Sequence, residues 1–169
     1  MTATFDMVMS QDATFRRATS EDVPGLARTY VRSQERAGAA ADRNGITLGA
    51  VTQWMRKALL LDEIWMLERE FGEVAGLVAV TGRELDVLDV EPNLRGRGYG
   101  SRLVEMAKRQ RPGGLIARVS AHRVEARRFL FHHGFEVTGP TRGVGVETLA
   151  WGPMRSRWQR GEARDRSRI

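Results

Sequence analysis

The stretch Arg95-Gly96-Arg97-Gly98-Tyr99-Gly100 sets three alternating glycines between two segments of different hydrophobic period. Before it, Leu85 to Val90 alternates as a strand does and stops at Glu91-Pro92-Asn93. After it, Leu103, Met106 and Ala107 recur at helical spacing, in a helix read from Gly98 to Gln110 and stopped by Pro112-Gly113-Gly114. Glycine lets main-chain amides turn inward and lets a ligand come close to the backbone. Amides at a helix N-terminus also favour negative charge. A strand, a glycine turn and a helix in this order predict an anion cradle, with Arg95, Arg97 and Arg102 adding positive charge beside it.

The common nucleotide patterns do not account for the turn. The dinucleotide spacing G-x-G-x-x-G fails because position 101 is Ser. The acidic ribose ligand expected about 20 residues on is missing, since Leu115 to Val119 offers only Arg118 as a charged group. No Gly-Lys-Ser/Thr of a P-loop is present.

The rest of the chain reads as strands and helices around this unit. Thr14 to Arg17 starts a short strand, and a helix follows. Thr19 and Ser20 are its capping types, and Val23, Leu26, Ala27, Tyr30 and Val31 recur at its spacing. Gln34 to Gly45 reads as a loop or frayed helix end. Leu48, Val51, Met55 and Leu59 predict a second amphipathic helix. Strands are expected at Ile64–Glu68, Val74–Thr81, Leu85–Val90 and Leu115–Val119. Val124 to His133 is read as a helix ending at Gly134, and Phe135–Val137 with Glu147–Trp151 as a closing hairpin. The order β-α-α-β-β-β-α-β-α-β-β predicts an α/β (α+β) class with one mixed sheet flanked by helices. Residues 1–12 are expected to fray, 13–153 to form a single domain, and 154–169 to be an Arg-rich tail.

Several classes are excluded by composition. With no cysteine there is no disulfide framework, thiol nucleophile or cysteine-ligated metal. No H-E-x-x-H occurs, and adjacent His132 and His133 cannot share a helical face, so no metal is expected. No apolar run reaches the roughly 18 residues that span a bilayer. The start MTATFDMVMS lacks a basic and a long apolar region, so the expectation is a cytoplasmic protein without a membrane partner.

A second block downstream makes the turn specific. Val90-x-Pro92-x-x-Arg95-Gly96-x-Gly98-x-Gly100 resembles motif A of the GNAT superfamily of acyl-CoA-dependent N-acetyltransferases. That family's signature Arg/Gln-x-x-Gly-x-Gly/Ala is matched by Arg95, Gly98 and Gly100. Ala126-x-x-Phe129-x-x-x-x-Gly134-Phe135 resembles motif B, and the resemblance runs from Thr14 to Trp151. It implies a sheet splayed between Leu85–Val90 and Leu115–Val119, with the pantetheine arm of acetyl-CoA along backbone groups near Asp89 and Val90. It implies the pyrophosphate on the amides of Arg95, Gly96, Arg97, Gly98, Tyr99, Gly100 and Ser101, with Arg123 and Phe129 lining the far side. The function implied is acetyl transfer from acetyl-CoA to a primary amine by direct attack in a ternary complex.

Such a transfer needs a base for the amine, a polarised carbonyl and a proton for the leaving thiolate. Glu84 is the first candidate base and Asp86 the second; by period two they share one face, with Asp89 on the other. Many family members carry Tyr directly after the motif B Phe, and Leu130 stands there. His132, His133 or Ser120, solvent, or no acid at all are the options left open. The last of these is an acyl-CoA-binding module with weak or absent catalysis. Acidic residues at Asp42, Asp62, Glu63, Glu68 and Glu70 hint at a cationic acceptor. Homodimers are common in the family, and nothing in the sequence settles the oligomeric state.

The net charge of +6 could point to nucleic acid. Residues 95–128 alone carry +8 and residues 155–169 carry +4, while residues 1–94 carry −5. The largest positive block starts at the cradle arginine, which suits a small polyanionic cofactor, and Trp158 is the tail's only aromatic for base stacking. Nucleic-acid binding is therefore the disfavoured reading.

Overall fold

The computed structural model describes residues 12–36, 46–61, 63–138 and 145–153. The expected fraying end, the loop at 37–45, the glycine-rich loop at 139–144 and the tail lie outside the described residues. Strands β1 (Ala13–Arg17), β2 (Glu63–Arg69), β3 (Val74–Thr81), β4 (Glu84–Val90), β5 (Leu115–Ser120), β6 (Glu136–Val137) and β7 (Val146–Trp151) form one sheet. Its order is β1-β2-β3-β4-β5-β7-β6. Only β4 and β5 run parallel; the other pairs are antiparallel. The helices are α1 (Val23–Arg36), α2 (Leu48–Leu61), α3 (Tyr99–Gln110) and α4 (Val124–His132). The element order is the one read from the sequence.

The sheet separates two cores. On one face Val23, Leu26 and Ala27 of α1 and Val51 and Met55 of α2 pack on Ile64, Met66, Leu77, Ala79 and Val87. On the other, Leu103, Val104 and Ala107 of α3 and Leu130 of α4 pack with Val78, Leu85, Leu115 and Leu149. Central β3, covered on both faces, accordingly reads as a near-continuous apolar run that is buried from Ala75 to Val80. Phe135, expected in the last hairpin, is buried in the second core just before β6.

The entry to α1 is tied to the sheet by ion pairs. Asp22 accepts from the Thr19 amide at 2.7 Å, and its carboxylate pairs with Arg16 of β1 at 2.6 Å. Arg16 also pairs with Glu68 of β2 at 2.6 Å. The Arg16 hydrogen bonds hold the Asp22 carboxyl down at about 2, and they lower Glu68 as well. A carboxyl depressed in the folded state stabilises it above the ordinary carboxyl range, and that contribution is lost as pH falls through the folded value. Unfolding followed between pH 5 and 2 is expected to show stability falling with acid, and Arg16→Met should flatten that slope. An unchanged slope would show that these pairs do not couple protons to folding.

Glu63 accepts from Arg111 at 2.9 Å, so Glu63 and Glu68 hold the sheet edge and the α3 terminus together. Their charges are matched within the fold, so the hint of a cationic acceptor draws no support from these two, and exposed Glu70 is the remaining described residue behind it. Asp42 and Asp62 lie outside the described residues.

Candidate active site

The sheet opens beside the glycine turn. β4 and β5 pair at one register position, Glu84 with Ile116, supported by the Ile116 amide donating to the Arg83 carbonyl at 2.8 Å. Beyond it no further β4–β5 pairing follows, and the strands diverge toward Val90 and Ser120. A β-bulge coincides with the divergence: Ala79 faces Val87 and Val80 faces Leu85, so Asp86 has no opposite number on β3. A bulge bends its strand and resets the direction of later side chains.

That reset corrects one expectation. Leu85 and Leu88, three apart, both join the α3 side, while Val87 joins the α1 side. Asp89 therefore points to α1, on the same face as Glu84 rather than the opposite one. Alternation alone could not show this, because one extra residue reverses the parity of everything after it.

At the closed end of the split, Glu84 is ion-paired with Arg118 of β5. Asp86 is exposed at the apex and accepts from Thr81 Oγ1 at 2.5 Å. At the open end lies the turn. Gly96 and Gly98 have φ of +77° and +84°, conformations that favour glycine. A Cβ at either would meet no described atom within 4 Å, so the turn faces open space. α3 starts at Tyr99, and its first amides are free of intrahelical partners by construction.

Phe129 of α4 closes the inner side. A Cβ at Gly100 would lie 3.3 Å from the Phe129 ring and 3.7 Å from Val90 Cγ2. Three elements thus meet at one point, and Gly100 is small because they do. Arg123 caps α4 and is half-buried. The structure gathers Val90, Gly96, Arg97, Gly98, Gly100, Ser101, Arg123 and Phe129 around the mouth of the split. It does not bring Glu84 there, since Glu84 lies at the other end of β4.

Two of the expected ligands are engaged elsewhere. The Tyr99 ring is buried in the α3 core with its hydroxyl donating to Asp12, which leaves only its main chain in the turn. Arg95 donates to Ser33 Oγ of α1 at 2.9 Å. Ser33 in turn donates to Asp89 at 2.5 Å, and Gln34 Nε2 donates to the other Asp89 oxygen at 3.1 Å. Burial pushes the Asp89 carboxyl up, against the pull of Ser33, Arg123, Gln34 and Arg95. Glu91 accepts from Thr29 at 3.0 Å and Arg32 at 2.8 Å. This network fastens α1 to the end of β4 and to the turn. It also decides between the loop and the helix end read for Gln34: the residue is buried in the last turn of α1, held there by Asp89. The signal was present as polar Ser33 and Gln34 continuing the spacing of Leu26, Ala27 and Tyr30 on the inner face of α1.

The alternatives for a proton donor divide as well. His133 faces Ser101 at 3.1 Å and Glu105 at 3.3 Å, bridging α4 to α3. Burial pushes its imidazole down, with Glu105 opposing. Ser120 contacts His122 at 3.1 Å, and Leu130 is only 5% exposed within the core.

Comparison with known proteins agrees with this geometry. Residues 61–137 match the sequence model of the acetyltransferase (GNAT) domain. The chain is 36% identical over 76 residues to the peptidyl-lysine N-acetyltransferase YjaB of Salmonella typhimurium. That stretch is 45% of this chain and 52% of the relative, so the chain spans about half the length of the curated relatives it matches. The solution structure of apo-form YjaB from Escherichia coli superposes with a TM-score of 0.64 at 25% identity, covering 82% of this chain and 95% of that one. The yncA structure from Salmonella typhimurium with its cofactor acetyl-CoA gives 0.62 at 20% identity, covering 83% of this chain and 93% of that one, a likeness of fold.

Proposed function

Since the chain belongs to the GNAT superfamily of acetyltransferases, we propose that it moves an acetyl group from acetyl-CoA to a primary amine by direct attack in a ternary complex. The observation that carries this reading is the coincidence of the β4–β5 split with the open glycine turn at the start of α3. The split gives an extended ligand arm the free edge of β4, and the turn gives phosphates a row of amides. The residues present fit acetyl-CoA: Asp89 and Val90 by their main chain, Arg95 to Ser101 by their amides, and Arg123 and Phe129 on the far lip. When bound, acetyl-CoA supplies an acetyl group activated as a thioester. The acceptor enters over the α1 face, where Ile116, Arg118 and Ser120 of β5 keep part of their surface exposed and no described helix buries them. A lysine ε-amine is the acceptor we place first, because the relatives that match are named for it. Residues 13–153 would form the catalytic domain, with the Arg-rich tail outside it.

For the base the geometry favours Asp86 over Glu84. Glu84 is neutralised by Arg118, whereas Asp86 stands exposed where the strands part. Asp86→Asn is expected to lower kcat about a hundredfold, the lower range of general-base catalysis, with KM for acetyl-CoA little changed. Equal kcat in the variant would remove Asp86 from the chemistry.

The buried Leu130 favours a second reading, acyl-CoA binding without transfer. A single pair of measurements separates the two. Ligand at about a hundred times Kd adds about 2.7 kcal/mol to the native state, which raises Tm by about 5–11 °C for a chain of this size. Such a rise together with thiol release on adding amines, polyamines or lysine peptides supports transfer. A rise without thiol release supports binding alone, and no rise defeats both. The cytoplasm is the compartment we assign, and no described helix is long and apolar enough to cross a membrane.

A further inference from the structure

Two side chains one turn apart at the end of α4 meet successive residues of the glycine turn. A Cβ at Gly100 would lie 3.3 Å from the Phe129 ring. At the next position, Ser101 Oγ lies 3.1 Å from His133 Nε2. The Phe129 and His133 rings pack together at 4.6 Å between centroids. The His133 amide donates to the Leu130 carbonyl at 3.0 Å, so the ring is held by the end of the helix. Across the gap, the Arg102 amide donates to the Gly98 carbonyl at 3.1 Å. That bond begins the ladder of α3 and leaves Ser101 in the first turn, among the residues whose amides point out of the helix.

The other face of the imidazole fixes where its hydrogen sits. His133 Nδ1 lies 3.3 Å from Glu105 Oε1. Against burial, Lys108 at 2.7 Å and His133 itself hold the Glu105 carboxyl down, so it is ionised and can only accept. The neutral ring therefore carries its hydrogen on Nδ1, and its bare Nε2 accepts from the Ser101 hydroxyl. In this state the only hydrogen of Ser101 Oγ is spent on α4, and the oxygen presents lone pairs elsewhere.

We propose that His133 is a positioning residue for the phosphates of acetyl-CoA: by taking up a proton from solvent, it turns the Ser101 hydroxyl hydrogen toward the anion at the turn. This rests on the acetyl-CoA reading above. In the protonated ring both nitrogens carry hydrogen, so Nε2 donates to Ser101 Oγ. The serine hydrogen is then released to donate to a phosphate oxygen, and a cation stands one hydroxyl away. No bond to the cofactor is made or broken, and the proton returns to solvent when the cofactor leaves.

The surroundings poise the ring for this exchange. Burial pushes the imidazole down; Glu105 favours the charged form, while Lys108 of α3 and His132 of α4 oppose it. Trp151 of β7, which Lys108 covers at 5.0 Å, is neutral. The unliganded ring is thus neutral at neutral pH, and a bound anion adds the charge that favours its protonation. A group that gains affinity for its proton in the complex makes binding tighten as pH falls through the bound value, and the gain levels off below the free value.

The chain has three histidines, so His122→Gln and His132→Gln assign the His133 ring by elimination without altering it. Its ring nitrogens, read by nitrogen-15 NMR in the free protein above its titration, should show the hydrogen on Nδ1. Adding CoA should move its titration to higher pH. Between pH 8 and pH 5.5 the Kd of wild-type protein for CoA should tighten about tenfold more than that of Ser101→Ala or His133→Gln, the worth of one charge-assisted hydrogen bond. The ionisation of CoA itself is common to all three proteins and cancels in that comparison. A His133 titration unmoved by bound CoA, or one pH dependence shared by all three, overturns the role of His133 and leaves cofactor binding standing. A wild-type protein that binds no CoA at either pH overturns both.

Discussion

Gly98→Asp is expected to abolish acetyl-CoA binding while the protein stays folded. The residue has φ of +84°, and a Cβ there meets no described atom within 4 Å. The new side chain thus points into open space, and the cost to the fold is backbone strain alone. That strain is about 1–2 kcal/mol for an L residue in the left-handed region, and Asp is among the residues that enter it most readily. The loss in binding is far larger. A carboxylate about 4 Å from a phosphate oxygen, at the effective dielectric of a protein surface, repels by about 4 kcal/mol. That corresponds to about a thousandfold in Kd. Gly98→Asn has the same shape and backbone demand without the charge, so it should retain binding that Gly98→Asp loses. Calorimetric titration of both variants with acetyl-CoA checks this. Equal affinities in the two would mean that the phosphates do not sit at this turn.

Leu103→Ala should be the most damaging single change to stability. Leu103 is fully buried on the sheet-facing side of α3. It packs so closely on β3 that a Cβ at Gly76 would come within 2.9 Å of its Cδ1 and 2.8 Å of the Asp89 carbonyl oxygen. Gly76 has no side chain with which to fill the space, and its backbone is held in the sheet. A cavity that cannot collapse lies at the upper end of the usual cost, about 4–5 kcal/mol, and a drop in Tm of about 8–20 °C. Because α3 carries the amides of the turn, the same variant should bind acetyl-CoA more weakly near its own transition. A denaturant titration showing less than about 1 kcal/mol of loss would mean the site repacks.

The order of elements was legible because most of it rests on local period and punctuation. The turn Arg95–Gly100 was readable for the same reason: positive φ at Gly96 and Gly98 and the free amides of α3 are properties of six consecutive residues. The divergence of β4 and β5 was implied only by the family resemblance, and the single Glu84–Ile116 register position now accounts for it. The carboxylates were misplaced for a definable reason. Period two cannot register the bulge at Asp86, which arises from pairing with β3, and it therefore put Asp89 on the wrong face. Glu84 gave no sign of Arg118, its ion-pair partner on another strand.

The sequence by itself determined the glycine turn, the strand that feeds it, the helix that follows it and the positive block around it. All of these depend on neighbours within a few residues, where backbone sterics and hydrogen-bond geometry act without help. The tertiary structure alone decided how the acids at the end of β4 are partnered. Asp89 meets Ser33 across 56 positions, and Glu91 meets Thr29 and Arg32, because α1 packs against the end of β4. Such contacts follow from how two buried faces pack, and chain spacing carries no record of that.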